Sequence, residues 1–244
     1  MAKISVIVAS AGKADRFGGA EKKTLAKIDG RPVFLRSIEH FINRADVCQT
    51  ILAVAPEDMG EIKSRYAPNL GFMGVTIVEG GATRVDTVAT SLDVVVEEAE
   101  YVAVHDAARP CVTEQWITAV FADAVKTGAS ILAAPLFGTI KRVAESGVID
   151  ATLPREALFE AQTPQVFRKD LLVGCYGRRG EFTEEITDDA QLVELCGHPV
   201  SVVKTDATNL KITVKGDLAL ANAIIKARPV AKRPKLGAFE EAQW

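Results

Sequence analysis

The stretch YVAVHDAARPCV occupies residues 101–112 and combines a core strand with charged residues at its end. Its first half is an apolar run typical of a buried strand, and the run stops at His105 and Asp106. Arg109 and Pro110 follow after two alanines. In an open parallel sheet, ligands bind outside the carboxyl ends of the strands. The position of Asp106 therefore predicts a ligand site at this strand end.

Other short apolar runs alternate with helical patterns through the first half of the chain. Runs at residues 4–10, 50–55, 75–80 and 130–135 resemble the run that leads to Asp106. Helical periodicity lies between the strands, at residues 32–45, 56–66, 83–99 and 113–127. This alternation is typical of right-handed crossovers. It predicts an α/β fold: a Rossmann-like, mostly parallel sheet with helices on both faces.

The alternation stops after Pro135, where a hairpin is expected. Residues 139–145 and 148–154 flank Ser146-Gly147, a dipeptide that favours a two-residue turn. A lone two-stranded ribbon is marginal in water. We therefore expect a protruding β-hairpin arm, at about residues 137–156, that rests on a second subunit of a homodimer.

The last third of the chain predicts three more elements. A helix is expected near Thr187, with Asp188 and Asp189 in its first turn, where acidic residues are favourable. Residues 199–205 predict a strand, and residues 216–227 predict a closing helix. One domain is expected over residues 1–228, and residues 229–244 are expected to form a loose C-terminal extension.

The bulk composition limits the possible partners and compartments. The net charge of −3 over 244 residues disfavours a general nucleic-acid binder, which usually has a basic surface. The four cysteines form no CxxC pair, which favours free thiols in a reducing cytosol over disulfides. The apolar stretch at the N-terminus is short and soon reaches charged residues, so it predicts a strand rather than a signal peptide. No run approaches the ~18 apolar residues of a membrane span. A cytoplasmic protein is expected, without nucleic-acid or membrane partners.

The loop after the first strand, SAGKADRFGGAEKKT at residues 10–24, contains three glycines and four cations. Small residues let the backbone approach a phosphate, and cations neutralise it. The loop nevertheless lacks two known motifs: Ala14 and Phe17 break the Rossmann GxGxxG pattern, and Lys22 stands where a P-loop needs glycine. Taken singly, Arg16 and Lys23 fit a charged surface loop as well as a phosphate site.

Several blocks together resemble the 2-C-methyl-D-erythritol 4-phosphate cytidylyltransferase family. In chain order the blocks are SAGKADR with Lys23, EGGATRVDTV, VHDAARPCV, GTIKR, EAQTPQVF, ITDDA and TNLKIT, within residues 9–214. The resemblance implies an Mg²⁺-dependent nucleotidyltransferase of isoprenoid biosynthesis. Its substrates would be CTP and a polyol phosphate, and its product CMP-linked methylerythritol phosphate with release of pyrophosphate.

The resemblance also implies roles for individual residues. The catalytic residues would be Arg16, Lys23 and Lys211. Nucleotide binding would involve Ser10, Ala11, Gly12, Gly81, Ala82, Thr87, Asp106 and Ala107. The second substrate would be held by Arg109, Thr139, Arg155 and Thr163. Asp106 would also be the ligand of Mg²⁺ or another divalent cation, shared with the triphosphate.

Plainer interpretations exist for some of these residues. Asp106 could be a turn cap, and Arg155 with Arg142 could serve only to solubilise the hairpin. Asp188 and Asp189 are interpreted as helix-start residues rather than ligands. His105 is interpreted as a structural hydrogen-bonding residue at the strand end, with no chemistry assigned.

The chain departs from the family pattern at several positions. Ser10, Ala14 and Lys22 replace an alanine, a glycine and a proline of the family, Ala82 replaces an acid, and Thr208 stands where the family often has Asp. These departures bear on affinity, metal use and base choice. Two alternatives therefore stay open: the same chemistry on another polyol phosphate such as ribitol 5-phosphate, and a nucleotide-binding paralogue without turnover. A dehydrogenase is disfavoured because no complete dinucleotide fingerprint is present.

Overall fold

The computed structural model describes residues 1–10, residue 17 and residues 24–228. The strands are β1 Ile4–Ala9, β2 Lys27–Ile28, β3 Arg31–Pro32, β4 Val47–Val54, β5 Val75–Glu79, β6 Tyr101–Asp106, β7 Ala129–Pro135, β8 Ile140–Val143, β9 Ile149–Leu153, β10 Phe159–Arg168 and β11 Ser201–Lys204. The helices are α1 Val33–Glu39, α2 Pro56–Phe72, α3 Arg84–Leu92, α4 Glu114–Thr127, α5 Lys169–Gly177, α6 Asp189–Leu195 and α7 Gly216–Ala227. A short 3₁₀ helix covers Arg179–Glu181.

The central sheet has seven strands in the order β11-β7-β10-β6-β1-β4-β5. Strand β1 pairs in parallel with β4 and β6, β4 with β5, and β7 with β11. Strand β10 runs antiparallel to both of its neighbours, β6 and β7. The prediction of a mostly parallel α/β sheet is confirmed, and β10 is the strand that makes it mixed.

Helices cover both faces of this sheet because its inner strands are apolar on both sides. In β1, Val6 and Val8 belong to the core cluster that includes Phe34 of α1 and Ile117 of α4. Ile7 belongs to the opposite cluster, with residues of α3, α5 and α6. All six residues of β1 are buried, as expected for an inner strand of a parallel sheet.

Two predicted helices are shorter than expected, and one is longer. The segment predicted as helical at 32–45 is a helix only from Val33 to Glu39, and the segment at 83–99 only from Arg84 to Leu92. In both segments the apolar pattern continues into turns beyond the helix, so the periodicity overestimated the helix length. Helix α2 passes through Pro68 and ends at Phe72, beyond the expected residue 66.

Strand β10 and helix α5 were missed by the sequence analysis. The TPQVF block was noted only as a family motif, although it lies within the ten residues of β10. Pro164 has no N–H for the ladder, and the pairing register with β7 shifts between Gln162 and Gln165. Polar residues and a proline therefore hid a central strand.

Strands β8 and β9 form a separate two-stranded ribbon, as predicted for the arm. Its turn is longer than the predicted two residues: the Ala144 N–H donates to the Val148 carbonyl at 2.9 Å, and the Gly147 N–H donates to the Ala144 carbonyl at 2.9 Å. Gly147 has φ +80°. The turn is therefore the three-residue type in which glycine supplies the left-handed position.

The predictions for the helix start at Asp188, for the last strand and helix, and for free cysteines agree with the structure. Asp188 is the N-cap of α6, α7 spans Gly216–Ala227 as predicted, and residues 201–204 form β11. All four cysteines are free thiols. Among the described residues, no helix has the length and apolar character needed to cross a bilayer. The predicted C-terminal extension, residues 229–244, lies outside the described residues.

Candidate active site

The carboxyl ends of β1 and β6 lie side by side at one edge of the sheet. Their register pairs Ala9 with Asp106, and the Ala107 N–H donates to the Ala9 carbonyl at 3.0 Å. The Ser10 N–H donates to the carbonyl of Ala53, in β4, at 2.8 Å. Ser10, Asp106 and Ala107, all predicted to bind nucleotide, therefore lie together at this edge.

Asp106 is almost fully buried, and its carboxylate is surrounded by positive charge. Lys211 Nζ lies 2.8 Å from Oδ2, Arg109 Nε lies 3.4 Å from Oδ2, and Arg84 Nε lies 3.5 Å from Oδ1. Burial by itself would raise the pKa of Asp106, but the charges of Lys211, Arg84 and Arg109 hold that pKa well below its usual range. The carboxylate is therefore ionised at neutral pH, and the turn-cap interpretation does not account for its surroundings.

Among the described residues, Asp106 could bind a divalent cation only as its single protein ligand. Within the described part of the chain, no group of three or more His, Cys, Asp or Glu side chains could hold a metal ion. Mg²⁺ often keeps several waters and is held by one or two carboxylates together with substrate phosphates. The residues present fit that arrangement, and Lys211 would have to release Oδ2 before a cation binds there.

The guanidinium of Arg109 donates its hydrogen bonds to protein groups around Asp106. Besides Asp106, its guanidinium donates from Nη1 to the Asn209 carbonyl at 2.7 Å and from Nη2 to the Ala161 carbonyl at 3.4 Å. Glu160 adds a longer ion pair at 3.8 Å. Arg109, predicted to hold the second substrate, is buried and joins three separate segments of the site.

Thr163 and His105 form a buried hydrogen-bonded chain behind Asp106. Thr163 Oγ1 accepts from the Asp106 N–H at 3.0 Å and lies 3.1 Å from His105 Nδ1, while His105 Nε2 lies 3.2 Å from the Arg109 carbonyl. A neutral imidazole protonated on Nε2 satisfies all three contacts. Burial lowers the pKa of His105 to about 3, so the ring stays neutral. The structural interpretation of His105 is confirmed, and Thr163 can offer a ligand only a lone pair.

The Gly81–Thr87 region begins α3 near the same edge. Thr87 is buried: its hydroxyl accepts from the Gly81 N–H at 3.1 Å and donates to the Thr83 carbonyl at 2.7 Å. A Cβ on Gly81 would lie 2.3 Å from Cβ of Asp86, so only glycine fits there. Ala82 is exposed beside it. Thr87 therefore holds the glycine turn against the helix start.

Thr139 and Arg155 lie apart from this cluster, on the exposed arm. Arg155 Nη1 donates to the Phe137 carbonyl within the arm itself. Within residues 24–228, no hydrogen bond or ion pair joins Thr139 or Arg155 to Asp106 or Lys211. In the described structure, Arg155 thus makes its contact within the arm rather than with the Asp106 cluster.

Part of the predicted site lies outside the described residues. The predicted site residues outside the described part are Ala11, Gly12, Arg16 and Lys23, with the family departures Ala14 and Lys22. Thr208, another departure, is described: its N–H and hydroxyl donate to Asp206 Oδ1 at 2.7 and 2.5 Å. It therefore belongs to a local turn.

Sequence reasoning missed a buried ion pair that supports the site. Arg84 Nη2 lies 2.6 Å from Asp189 Oδ2, and the Tyr176 hydroxyl donates to Asp189 Oδ1 at 2.5 Å. Asp189 does begin α6, as predicted, but its carboxylate is fully buried. Arg84 lies in the EGGATRVDTV block, yet its partner is 105 residues away, so no local pattern links the two.

Comparison with known proteins identifies the family of this site. A family model described as IspD, 2-C-methyl-D-erythritol 4-phosphate cytidylyltransferase, matches residues 4–227. The chain belongs to this cytidylyltransferase family. A 2-C-methyl-D-erythritol 4-phosphate cytidylyltransferase of Rhodopirellula baltica is 41% identical over 236 residues, covering 92% of this chain and 95% of that protein. One from Endomicrobium trichonymphae is 39% identical, covering 92% of this chain and all of that protein.

Solved structures of the cytidylyltransferase family have the same fold. The crystal structure of the Thermus thermophilus 2-C-methyl-D-erythritol 4-phosphate cytidylyltransferase is 31% identical, with a TM-score of 0.75 over 91% of this chain and 98% of that one. The 4-diphosphocytidyl-2C-methyl-D-erythritol synthase of Anaerococcus prevotii is 26% identical, with a TM-score of 0.78 over 92% of this chain and 96% of that one. The family resemblance inferred from the motifs is therefore confirmed.

Proposed function

We propose that this chain transfers CMP from CTP to 2-C-methyl-D-erythritol 4-phosphate and releases pyrophosphate. The observation that carries the proposal is the ionised Asp106 carboxylate among Lys211, Arg84 and Arg109 at the sheet edge. Such a site can neutralise phosphates, and its scaffold is that of the cytidylyltransferase family.

The reaction needs charge neutralisation more than proton transfer. A phosphate oxygen of methylerythritol phosphate attacks the α-phosphorus of CTP, and the bond from that phosphorus to the bridging oxygen of pyrophosphate breaks. The nucleophile is already ionised at neutral pH, so no general base is required. The buried, neutral His105 agrees with this requirement. The barrier comes largely from bringing two polyanions together in line, which positioning and fixed cations lower.

Lys211 is the described cation best placed to move onto a phosphate. Its side chain is 39% exposed, against 21% for Arg84 and 5% for Arg109. When the nucleotide arrives, Lys211 exchanges the Asp106 carboxylate for an oxygen of the α-phosphate. By family resemblance, Arg16 and Lys23 would add positive charge at the triphosphate.

Arg84 and Arg109 keep Asp106 in place when Lys211 leaves. Asp106 would then hold Mg²⁺ together with triphosphate oxygens, and the bound cation would offset phosphate charge. The cytosine would lie against the Gly81–Ala82 turn, which Thr87 fastens to α3. Ser10, Ala11, Gly12 and Ala107 would supply the close backbone contacts to the nucleotide.

The arm is assigned to a homodimer interface. Three of its apolar side chains are largely exposed: Phe137 by 72%, Val148 by 65% and Ile149 by 58%. A second copy of the chain would bury them, and by family resemblance the arm would carry Thr139 and Arg155 to the partner's substrate site. Arg109 and Thr163 would complete that site from the other subunit. The four free thiols suit a cytoplasmic location.

The test is a pyrophosphate-release assay with purified protein, Mg²⁺, each of the four NTPs, and either methylerythritol phosphate or ribitol 5-phosphate. Turnover with CTP and methylerythritol phosphate is expected. Faster turnover with ribitol 5-phosphate would instead make the chain a cytidylyltransferase for another polyol phosphate. Tight CTP binding by calorimetry without pyrophosphate release from any pair would indicate the non-catalytic paralogue.

A further inference from the structure

Asn209 is fully buried two residues before Lys211 and contacts two other segments of the site. Its side-chain Nδ2 donates to Gln162 Oε1 at 3.0 Å and to the Thr163 carbonyl at 3.1 Å. Its main-chain carbonyl accepts from Arg109 Nη1 at 2.7 Å. One residue therefore joins the segment that carries Lys211 to strand β10 and to the loop after β6.

The neighbouring contacts make this attachment firm. Gln162 Oε1 also accepts from the Thr205 hydroxyl at 2.7 Å, and Gln162 Nε2 donates to the Asp206 carbonyl at 3.2 Å. On the other side of Lys211, the Ile212 N–H donates to the Ala108 carbonyl at 2.8 Å. Lys211 thus lies between two residues that are held by hydrogen bonds, Asn209 and Ile212, which limits where its ammonium can reach.

The side-chain amide of Asn209 fits the two acceptors that face it. Both acceptors that face its side chain are oxygens, so the position needs a donor, and aspartate would instead place negative charge against them. The Oδ1 atom of Asn209 is buried, and no described residue donates to it. An unpaired buried oxygen is unfavourable for stability. An apolar residue would avoid that cost but would lose both donated hydrogen bonds.

We propose that Asn209 is a positioning residue for the transfer reaction. Its amide and carbonyl hold Lys211 and Arg109 against Asp106, so the cation that moves to the α-phosphate starts from one defined place. This inference rests on the proposed function, because that function assigns Lys211 to the phosphate.

The test is a double-mutant comparison of Asn209→Ala, Lys211→Ala and the double variant. Asn209→Ala is expected to lower kcat by about 10²-fold, the size of loss that a 1 Å misplacement can cause. Because Asn209 acts through Lys211, the double variant should be no slower than Lys211→Ala alone. Penalties that multiply in the double variant would mean that Asn209 acts independently of Lys211, and would overturn the inference.

Asn222 provides a matched control. It lies in α7 and also has a buried Oδ1 without a partner among the described residues. Asn222→Ala should leave kcat within about twofold, since a substitution away from the buried network around Asp106 usually changes little. A loss as large as that of Asn209→Ala would show that removing any asparagine with a buried, unpaired Oδ1 suffices, which contradicts the inference.

A second variant covers the case in which Asn209→Ala does not fold. Gln162→Leu leaves Asn209 in place but removes the acceptor of one of its hydrogen bonds, together with the Gln162 contacts to Thr205 and Asp206. It should lower kcat in the same direction and give the same lack of additivity with Lys211→Ala. Independent penalties here would contradict the inference alone. A wild-type protein with no pyrophosphate release would contradict the proposed function, on which the inference rests.

Discussion

Replacing Lys211 by methionine tests the site at its most exposed cation. Methionine keeps an unbranched apolar stem and removes only the ammonium, which lies 2.8 Å from Asp106 Oδ2. Arg109 at 3.4 Å and Arg84 at 3.5 Å still contact the carboxylate, so Asp106 is not left unpaired. The substitution therefore separates the charge of Lys211 from the integrity of the fold.

Lys211→Met should lower activity more than it lowers stability. The Lys211 side chain is 39% exposed but the Asp106 carboxylate only 10%, so solvent screens the pair only in part. Such a pair lies between a fully exposed ion pair, at about 0–1 kcal/mol, and a hydrogen bond to a charged group, at about 1.5–3 kcal/mol. Because Asp106 keeps both arginines, the free energy of unfolding should fall by about 1–2 kcal/mol. Loss of one preorganised charge at a reacting centre typically costs about 2.7–4 kcal/mol, or about 10²–10³ in kcat. Activity should therefore fall more than stability.

The assay measures pyrophosphate release at saturating CTP and methylerythritol phosphate, with urea unfolding followed in parallel. Lys215→Met is the control, because Lys215 is exposed only four residues away and should lose neither activity nor stability. A Lys211→Met protein with kcat within threefold of wild type would remove Lys211 from the mechanism. A loss of unfolding free energy large enough to account for the lost activity would refute the proposed separation of charge from fold.

Three further predictions concern the metal, the glycine turn and the arm. Asp106→Asn should raise the Mg²⁺ concentration needed for half-maximal rate by at least about tenfold, since even outer-shell changes at metal sites cost about 10–100-fold in affinity. Gly81→Ala places a Cβ 2.3 Å from Cβ of Asp86, so urea unfolding should show a loss of about 1–3 kcal/mol and calorimetry a weaker CTP affinity. Arg155→Ala and Lys211→Ala proteins should each be nearly inactive, and refolding them together should recover about a quarter of wild-type activity. Random pairing in a two-fold dimer makes about half the dimers mixed, and each mixed dimer has one intact site of two.

Each of these experiments has a clear contrary result. An unchanged Mg²⁺ requirement in Asp106→Asn would mean that this carboxylate is not a metal ligand. Gly60→Ala, where the added Cβ meets no atom within 4 Å, is the control for Gly81 and should be neutral or stabilising. Equal effects at the two glycines would argue against crowding. Mixed dimers of the Arg155 and Lys211 variants, confirmed by differential tags, that recover no activity would place both residues in one chain's site.

The sequence by itself determined the parts of this protein that depend on local patterns. Apolar runs located β1, β4, β5, β6 and β7, and α7 was predicted at its observed bounds because its periodicity is unbroken. Asp106 was recognised because a charge at the end of a core strand is conspicuous in the chain itself. The ordered motif blocks were sufficient for the family, which the match over residues 4–227 confirms.

Only the tertiary structure decided which distant residues meet around Asp106. Strand β10 inserts antiparallel between β6 and β7, although Thr163, Pro164 and two glutamines conceal its strand character. That insertion places Thr163 against Asp106 and Gln162 against Asn209, 57 and 47 residues apart in the chain. Such polar pairs leave no periodic signal in the sequence. They form because burial removes water as a partner, so each buried donor must find an acceptor that packing has brought within reach.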